Sequence, residues 1–442
     1  MLLNLTEEQI TQLAPDAPSV KAGRGLAVKS KWLLLEYSER AIWGHCQGSG
    51  KVPYQTVIDI TNIAFKCSCP SHKFPCKHGL GLLYLYASHA DSFQAAEEPE
   101  WVETWLAKRE EKAEKKEQKA KNDTPVDEVA QAKRQAVRHQ KILNGIDDLQ
   151  VWMKDLLRNG LLNVPERVHA LFENIARRMV DAQATGLAGR LRGIQEIDYY
   201  AEEWKYELTD KLSKIYLVSE GYKNLEKLSP DWQAEIRTQI GYPQPKEEVL
   251  AYNPIADRWM VLHKRSRKIN ELNTEMFWLY GMNTGRFALY LNFMTPGTLP
   301  EQNLLPGSIY EGELCFYQGV CGLRALFKSS ALSAERCLPP FYTDLSSAFA
   351  KYRDTVRQNP LAEEVPVLVD NLKLVVAGKR FWVRDATGRG IPVKINETMR
   401  IDILAITGGK PFAAFLLADA ACWQLKTIWY KSDYYLWKDE LN

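Results

Sequence analysis

The chain has 442 residues, 45% of them apolar and 25% charged, with a formal net charge of +2 at pH 7. That balance is ordinary for a soluble globular protein of roughly two to four domains, and it lacks the strong basic excess of a dedicated nucleic-acid-binding domain. The longest apolar runs, such as 412–422, are shorter than a membrane span and include Asp419, and no basic region leads into an apolar run at the N-terminus. A membrane helix and a secretory signal are therefore not expected, and eight cysteines in so long a chain do not read as a disulfide scaffold. The expectation is a cytoplasmic protein.

In chain order, Leu5 to Leu13 reads as a short helix capped by Thr6, ended by Ala14-Pro15-Asp16. Lys31–Tyr37, Ala41–Cys46 and Thr56–Ile60 read as strands, with Gly48-Ser49-Gly50 forming a loop that lets backbone approach a ligand. His45 and Cys46, as neighbours on a strand, point to opposite faces and make a poor metal pair. Residues 1–92 carry nine Lys or Arg against seven Asp or Glu, a mild excess.

The chemistry concentrates in Lys66-Cys67-Ser68-Cys69-Pro70-Ser71-His72-Lys73-Phe74-Pro75-Cys76-Lys77-His78-Gly79. The pattern is C-x-C, a six-residue loop, then C-x-H. Three soft thiolates and one imidazole at this spacing form a tetrahedral zinc set, Cys67, Cys69, Cys76 and His78. Four protein donors leave no position for water, so one structural Zn²⁺ is expected. Zinc suits the set better than an iron–sulfur cluster, whose spacings differ and for which His is an unusual ligand. His72 is the rival fourth ligand; His78 is preferred because it shares the one-residue spacing with Cys76. Alternation of Ile63, Phe65, Cys67 and Cys69 predicts a strand carrying both thiols on the face that Ile63 and Phe65 bury, with Pro70 ending it. Gly79 to Ala87 reads as a buried helix with Cys76 and His78 at its first turn. Three thiolates leave the site at net −1, which a helix N-terminus favours. Lys66, Lys73 and Lys77 surround the ligands, and no acid lies between Ile60 and Asp91. These lysines either offset the site's charge or contact nucleic-acid phosphates.

The motif resembles the SWIM zinc finger, C-x-C-x(n)-C-x-H. Residues 19–27, Ala41 to Tyr54 and Phe74 to Leu83 are similar to a bacterial family of SWIM-finger proteins of about this chain's size. The resemblance implies zinc binding. It also implies work beside a MoxR-type AAA ATPase and a von Willebrand factor A domain protein, as an adaptor or target-recognition subunit. SWIM fingers elsewhere bind DNA or protein, which keeps nucleic acid as the alternative partner.

Past Glu97, Trp101 and Trp105 anchor a segment, and Lys108 to Asn122 then carries seven positive and four negative charges with no apolar face. This reads as a solvated helical or disordered linker, 93–125. Apolar residues at helical spacing follow: Leu143, Ile146, Leu149, Trp152, Met153 and Leu156, then Val168, Leu171, Phe172, Ile175 and Met179 after Pro165. A third helix is expected from Tyr199 to Leu217 and a fourth from Ser229-Pro230 to Gly241, giving an α-helical bundle over 126–243. Arg177, Arg178, Arg190 and Arg192 flank Gly186-Leu187-Ala188-Gly189, where a phosphate contact could form.

Beyond Gln244 the period falls to two, and residues 244–442 read as a mainly antiparallel β domain, as one elongated unit or two small barrels. The expected strands include Arg400–Ile406, and Leu345 to Arg357 is one intervening helix capped by Thr343 or Asp344. Partly open barrels of the OB type bind oligonucleotides, and Phe381, Trp382, Arg384, Arg389 and Lys394 offer aromatic and cationic groups for such a face, although ordinary strands with solvated charges account for them more simply. Cys315, Cys321, Cys337 and Cys422 read as core cysteines; a redox pair of Cys315 with Cys321 across a hairpin is the less favoured alternative. The fold class is thus α+β multidomain: a zinc-clipped β-sheet plus helix in 1–92, the bundle, and the β region. No P-loop, nucleophile elbow, kinase set or H-E-x-x-H occurs, so a non-catalytic protein is expected.

Overall fold

The computed structural model describes residues 5–48, 52–61, 63–71, 73–119, 128–269, 272–294, 302–378, 380–420 and 422–437. Thr6 opens α1 (Glu7–Leu13) with a reciprocal capping box to Gln9. Asp16 then caps α2 (Ala17–Arg24) through the Ser19 amide, with Pro18 in its first turn. Five strands follow: β1 (Trp32–Tyr37), β2 (Ala41–Cys46), β3 (Tyr54–Asp59), β4 (Ala64–Cys67) and β5 (Gln94–Ala95), in the order β4-β3-β2-β1-β5. Only the short β5 runs parallel to its neighbour, β1.

Alternation along the strands sends Ile42, Ile58 and Phe65 to one face, where they bury Leu80 and Leu83 of α3 (Lys77–Ser88) and Ile10 of α1. It sends Ala41, Trp43 and Val57 to the other, where Val102 and Leu106 of α4 (Glu100–Lys119) cover them. Part of the stretch expected as linker therefore packs on the sheet. Trp101 and Trp105 are the anchors, and the charged remainder of the helix has no apolar face to bury. Residues 120–127 lie outside the described set.

The bundle is α5 (Glu128–Arg158), α6 (Val164–Asp181), α7 (Thr185–Gly193), α8 (Trp204–Lys223) and α9 (Pro230–Ile240). Its core includes Ile146, Leu149, Phe172, Ile175, Leu208, Ile215 and Ile236. Helix α7 holds three glycines, poor helix formers that hide it from a propensity reading. Tertiary contact explains Gly186: a Cβ there would lie 2.2 Å from the Gln239 carbonyl oxygen, so only glycine lets α7 meet the end of α9. The Arg177 and Arg192 side chains both pair with Glu173, and Arg190 pairs with Glu363.

After α10 (Lys246–Leu250), strands β6 (Ile255–Ile269), β7 (Leu272–Gly281), β8 (Phe287–Met294), β9 (Ile309–Phe316) and β10 (Arg324–Leu332) close a barrel. β6, β7 and β8 form an antiparallel meander, β8 pairs parallel with β10, and β9 joins β10 to β6 antiparallel. The chain then repeats the plan. α11 (Leu345–Gln358), capped by Asp344 through the Ser347 amide, leads into β11 (Val365–Ala377), β12 (Arg380–Arg384) and β13 (Gly390–Lys394). α12 (Glu397–Thr407), β14 (Phe412–Ala418), β15 (Trp423–Tyr430) and β16 (Asp433–Leu436) complete it. β11, β12 and β13 are again an antiparallel meander, β13 pairs parallel with β15, and β14 joins β15 to β11 antiparallel. Both rings have the OB-type order, first-second-third-fifth-fourth.

One expected strand fails here, and the less favoured cysteine pairing is not formed. Arg400–Ile406 is helix, not strand: Asn396 caps it through the Met399 amide, Met399, Ile403 and Thr407 bury at four-residue spacing, and Gly408 ends it with φ 59°. The apparent two-residue alternation came from Ile401, which is exposed. Cys315 pairs across its ladder with Leu326, so Cys321 in the turn is not opposite it.

Inside the second barrel, Asp385 accepts the Leu345, Thr387 and Arg389 amides and the Thr387 hydroxyl, tying the start of α11 to the β12–β13 turn. Burial pushes its carboxyl up, and these donors outweigh that, leaving it below the usual aspartate range. A depressed folded pKa stabilises above the unfolded value of about 3.9, and that stability is lost as pH falls through the folded value. Asp385→Asn should cost about 1–3 kcal/mol at neutral pH. In thermal melts at pH 7 and pH 3, the gap from wild type should narrow in acid; an equal gap would mean that charge is not the cause.

The N-terminal unit seats on the first barrel. Gln9 donates to Pro306 O and Ser308 Oγ, Asn303 to Ile63 O, and Leu305 enters the N-terminal core. Among the described residues, no helix is long and apolar enough to cross a membrane.

Candidate metal centre

The β3–β4 hairpin and α3 bring the motif together. β4 ends at Cys67, two residues before Cys69, which lies in the bend beyond. The expected strand through Cys69 is therefore too long. It is also too early at its start, since Ile63 has φ 48° and precedes the ladder. The turn lets both thiols converge although only one sits on a strand. Phe74 folds the intervening loop back edge-on against Phe65, at 6.0 Å between ring centroids. Cys76 is the N-cap of α3 and His78 lies in its first turn. Gly79 permits the approach: a Cβ there would be 2.9 Å from Phe65 Cδ1.

The Sγ atoms of Cys67, Cys69 and Cys76 and a ring nitrogen of His78 all lie within 4.8 Å of one another. His78 turns Nδ1 to the cluster, 3.7 Å from Cys67 Sγ and 4.0 Å from Cys76 Sγ. The edges of a zinc tetrahedron with sulfur and nitrogen vertices are roughly 3.5–3.8 Å, so the donors stand close to the spacing the metal needs. His72, the rival ligand, lies outside the described residues. Among the described residues this is the group of His, Cys, Asp or Glu side chains with metal-binding geometry.

The surroundings favour thiolate at one vertex. A hydrogen bond from Cys67 lowers the Cys76 thiol's pKa, aided by His78 and the Gly79 amide. The same hydrogen bond, with burial, raises Cys67. Burial also raises Cys69, against a hydrogen bond from the Ser71 amide. Thr56, opposite Cys67 in the ladder, sits 3.2 Å from its sulfur, and the Tyr54 ring lies 4.8 Å from the His78 ring. Neither residue was foreseen; only the register of β3 against β4 identifies them. Cys46 is buried in the neighbouring core, while His45 turns to Trp101 on the opposite face of the sheet.

Of the three lysines, Lys73 donates to Asp16 at 2.7 Å. That contact, with the Ser19 amide, holds the Asp16 carboxyl down at about 2. Lys66 and Lys77 are exposed.

A family model described as SWIM zinc finger matches residues 66–87, and one described as SWIM-associated four-helix bundle domain matches residues 137–240. No curated protein matches the chain. The first covers the cluster and all of α3 but Ser88; the second runs from within α5 to the end of α9, with α7 as an additional short helix. Cys67, Cys69, Cys76 and His78 fit C-x-C-x(n)-C-x-H, and the chain carries a SWIM zinc-finger module together with the SWIM-associated four-helix bundle.

Proposed function

We propose that the protein is a non-catalytic recognition subunit in which one structural zinc ion clips β4 to α3. The observation that carries this reading is the donor set: four protein atoms complete a tetrahedral site and leave no open coordination position for substrate or water. Bound there, zinc supplies cross-linking rather than Lewis-acid chemistry. The modules around it support the same reading, because a finger, a helical bundle and two small barrels offer surfaces on which partners can dock. By the family resemblance, the partners are a MoxR-type AAA ATPase and a von Willebrand factor A domain protein, for which this chain acts as adaptor. A reducing cytoplasm suits its eight unpaired cysteines.

The test uses the purified full chain with the purified ATPase and von Willebrand A protein of the same organism. One zinc per chain by mass spectrometry and saturable binding to either partner, both lost in Cys76→Ser, are expected. Absence of zinc, or binding to neither partner by a zinc-loaded chain, would sink the reading.

The alternative is DNA binding by the finger through Lys66, Lys73 and Lys77. The exposure of Lys66 and Lys77 favours it, and the ion pair of Lys73 with Asp16 weakens it. Lys66→Ala with Lys77→Ala should then flatten the salt dependence of DNA binding.

A further inference from the structure

We propose that the outer face of the β11–β12–β13 meander binds single-stranded nucleic acid, with Trp382 as a base-stacking platform and Lys373, Arg384 and Lys394 as phosphate contacts. This site is separate from the zinc finger and does not depend on its role.

Register decides which side chains face outward. Leu374 pairs with Val383 and Val383 with Ile391, while Phe381 pairs with Val393. All of these pack on the interior cluster of the second barrel. Alternation then puts Lys373 and Val375, Trp382 and Arg384, and Pro392 and Lys394 on the opposite side. Val375, Trp382 and Pro392 form one row across the three strands; Lys373, Arg384 and Gly390 form the next. Gly390 confirms the facing, since a Cβ there would lie 3.6 Å from Trp382 Cε3 and 3.9 Å from Arg384 Nε. Of the residues expected to form a binding face, Phe381 therefore points inward, and Arg389 is held in the turn by Ser346. Trp382, Arg384 and Lys394 remain, and the structure adds Lys373.

The charge is concentrated here. From 373 to 394 the sequence holds Lys373, Lys379, Arg380, Arg384, Arg389 and Lys394 against a single acid, Asp385. Asp385 is buried and spent on backbone amides. Arg380 pairs with Glu202 and Glu203 of the bundle. Among the described residues, no acid pairs with Lys373, Arg384 or Lys394. One short meander thus carries a local excess of positive charge in a chain whose net charge is only +2. A partly buried tryptophan amid cations fits a polyanion with flat, stackable rings. Every base offers such a ring, whereas a duplex hides its base faces.

The two barrels are not equivalent in this respect. On the first, the matching outer face carries Met260, Leu262, Trp278 and Tyr280, and all four are buried against Leu368, Phe415 and Trp429 of the second. On the second, a bulge at Asp370–Asn371, with Asn371 at φ 57°, separates the covered part of β11 from the open part that begins at Lys373. Of the two meander faces, one is spent on joining the barrels; the other meets the bundle at its Arg380 edge, through Glu202 and Glu203, and among the described residues no acid pairs with its Lys373, Arg384 or Lys394.

The test is fluorescence anisotropy of the full chain with a fluorescein-labelled oligothymidylate of about 20 nucleotides, longer than the ~4–16 nucleotides one such barrel covers. A duplex of equal length, anionic vesicles and polyglutamate serve as competitors. Single-strand binding should weaken about tenfold or more in Trp382→Ala and recover in Trp382→Phe. Each lost phosphate contact should reduce the log–log salt slope by about 0.7, so Arg384→Ala should do so with an unchanged melt. If Trp382→Ala fails to fold, Arg384→Glu replaces it, with loss of binding expected. No binding, binding indifferent to these changes, or competition by duplex, vesicles or polyglutamate as strong as by unlabelled single strand would each overturn the proposal. Loss of binding only in the Lys66 and Lys77 variants would move the site to the finger and overturn it as well.

Discussion

Cys76→Ser is expected to unfold the N-terminal unit while leaving the helical bundle folded. Zinc binding to a structural site is worth about 10–16 kcal/mol and couples to folding, because the unfolded chain has no preformed site. A whole domain has about 5–15 kcal/mol of net stability, so losing the metal removes an amount comparable to everything holding the unit together. Apart from the metal, the described part of the loop 68–76 is held by Phe74 on Phe65, by the Lys73–Asp16 ion pair and by the hydrogen bonds of Ser68 with Gln55. Cys76 also starts α3, which delivers Leu80, Leu82, Leu83, Leu85 and Tyr86 to the core, so damage at the cap spreads to the sheet. The bundle has its own closed core around Phe172 and Ile215, which confines the effect. Hydrogen exchange should show lost protection across 54–88 and retained protection across 137–240, and a chelator should reproduce this in the wild type. A variant that keeps its protection across 54–88 would mean that packing alone holds the hairpin to the helix.

The centre was legible because its ligand types and spacings are local. Cys67, Cys69, Cys76 and His78 lie within a dozen residues, and no long-range pairing has to be known to see them. Thr56 and Tyr54 were not legible, because their role depends on which residue of β3 lies opposite Cys67. The same reason left residues 244–442 open between one elongated unit and two small barrels. Each ring closes through a parallel pair, β8 with β10 and β13 with β15, that strand patterning cannot specify. Helices α2 and α7 were missed where Pro and Gly read as breakers: Pro18 opens the first, and Gly186 is demanded by the backbone of α9. At α12 the two periods compete over one short segment, and the caps at Asn396 and Gly408 decide it. The nominated face in β12 shows the limit most clearly. Phe381 and Trp382 are chemically alike and both partly buried, yet Phe381 packs on the interior cluster and Trp382 lies on the outer side, a distinction set by register alone.

Phe415→Ala should separate the barrels energetically without dismantling either one. Phe415 sits on β14 with its side chain fully buried, but its strand neighbours Ala414 and Leu416 face the interior of their own barrel while Phe415 faces the other. Its ring centroid lies 6.2 Å from that of Trp278 and 6.4 Å from that of His263, both in the first barrel. Truncating a buried phenylalanine costs about 3–5 kcal/mol, part for lost transfer and part for the cavity left behind. Collapse is hindered here, because Thr427 Oγ1 and Tyr434 Oη both donate to the Leu262 carbonyl and hold the two walls apart at a fixed distance. The cost should therefore lie toward the upper part of that range. It should appear as earlier loss of exchange protection in β6, β7, β14 and β15, with the bundle and the finger unaffected. A multidomain chain need not unfold in one step, so segment-resolved exchange is a better readout than a single melting temperature. A loss below about 1 kcal/mol would show that the cavity collapses and that the barrels are joined by their polar contacts instead. The expected result makes the joint a shared core, which fixes the open β11–β12–β13 face relative to the first barrel.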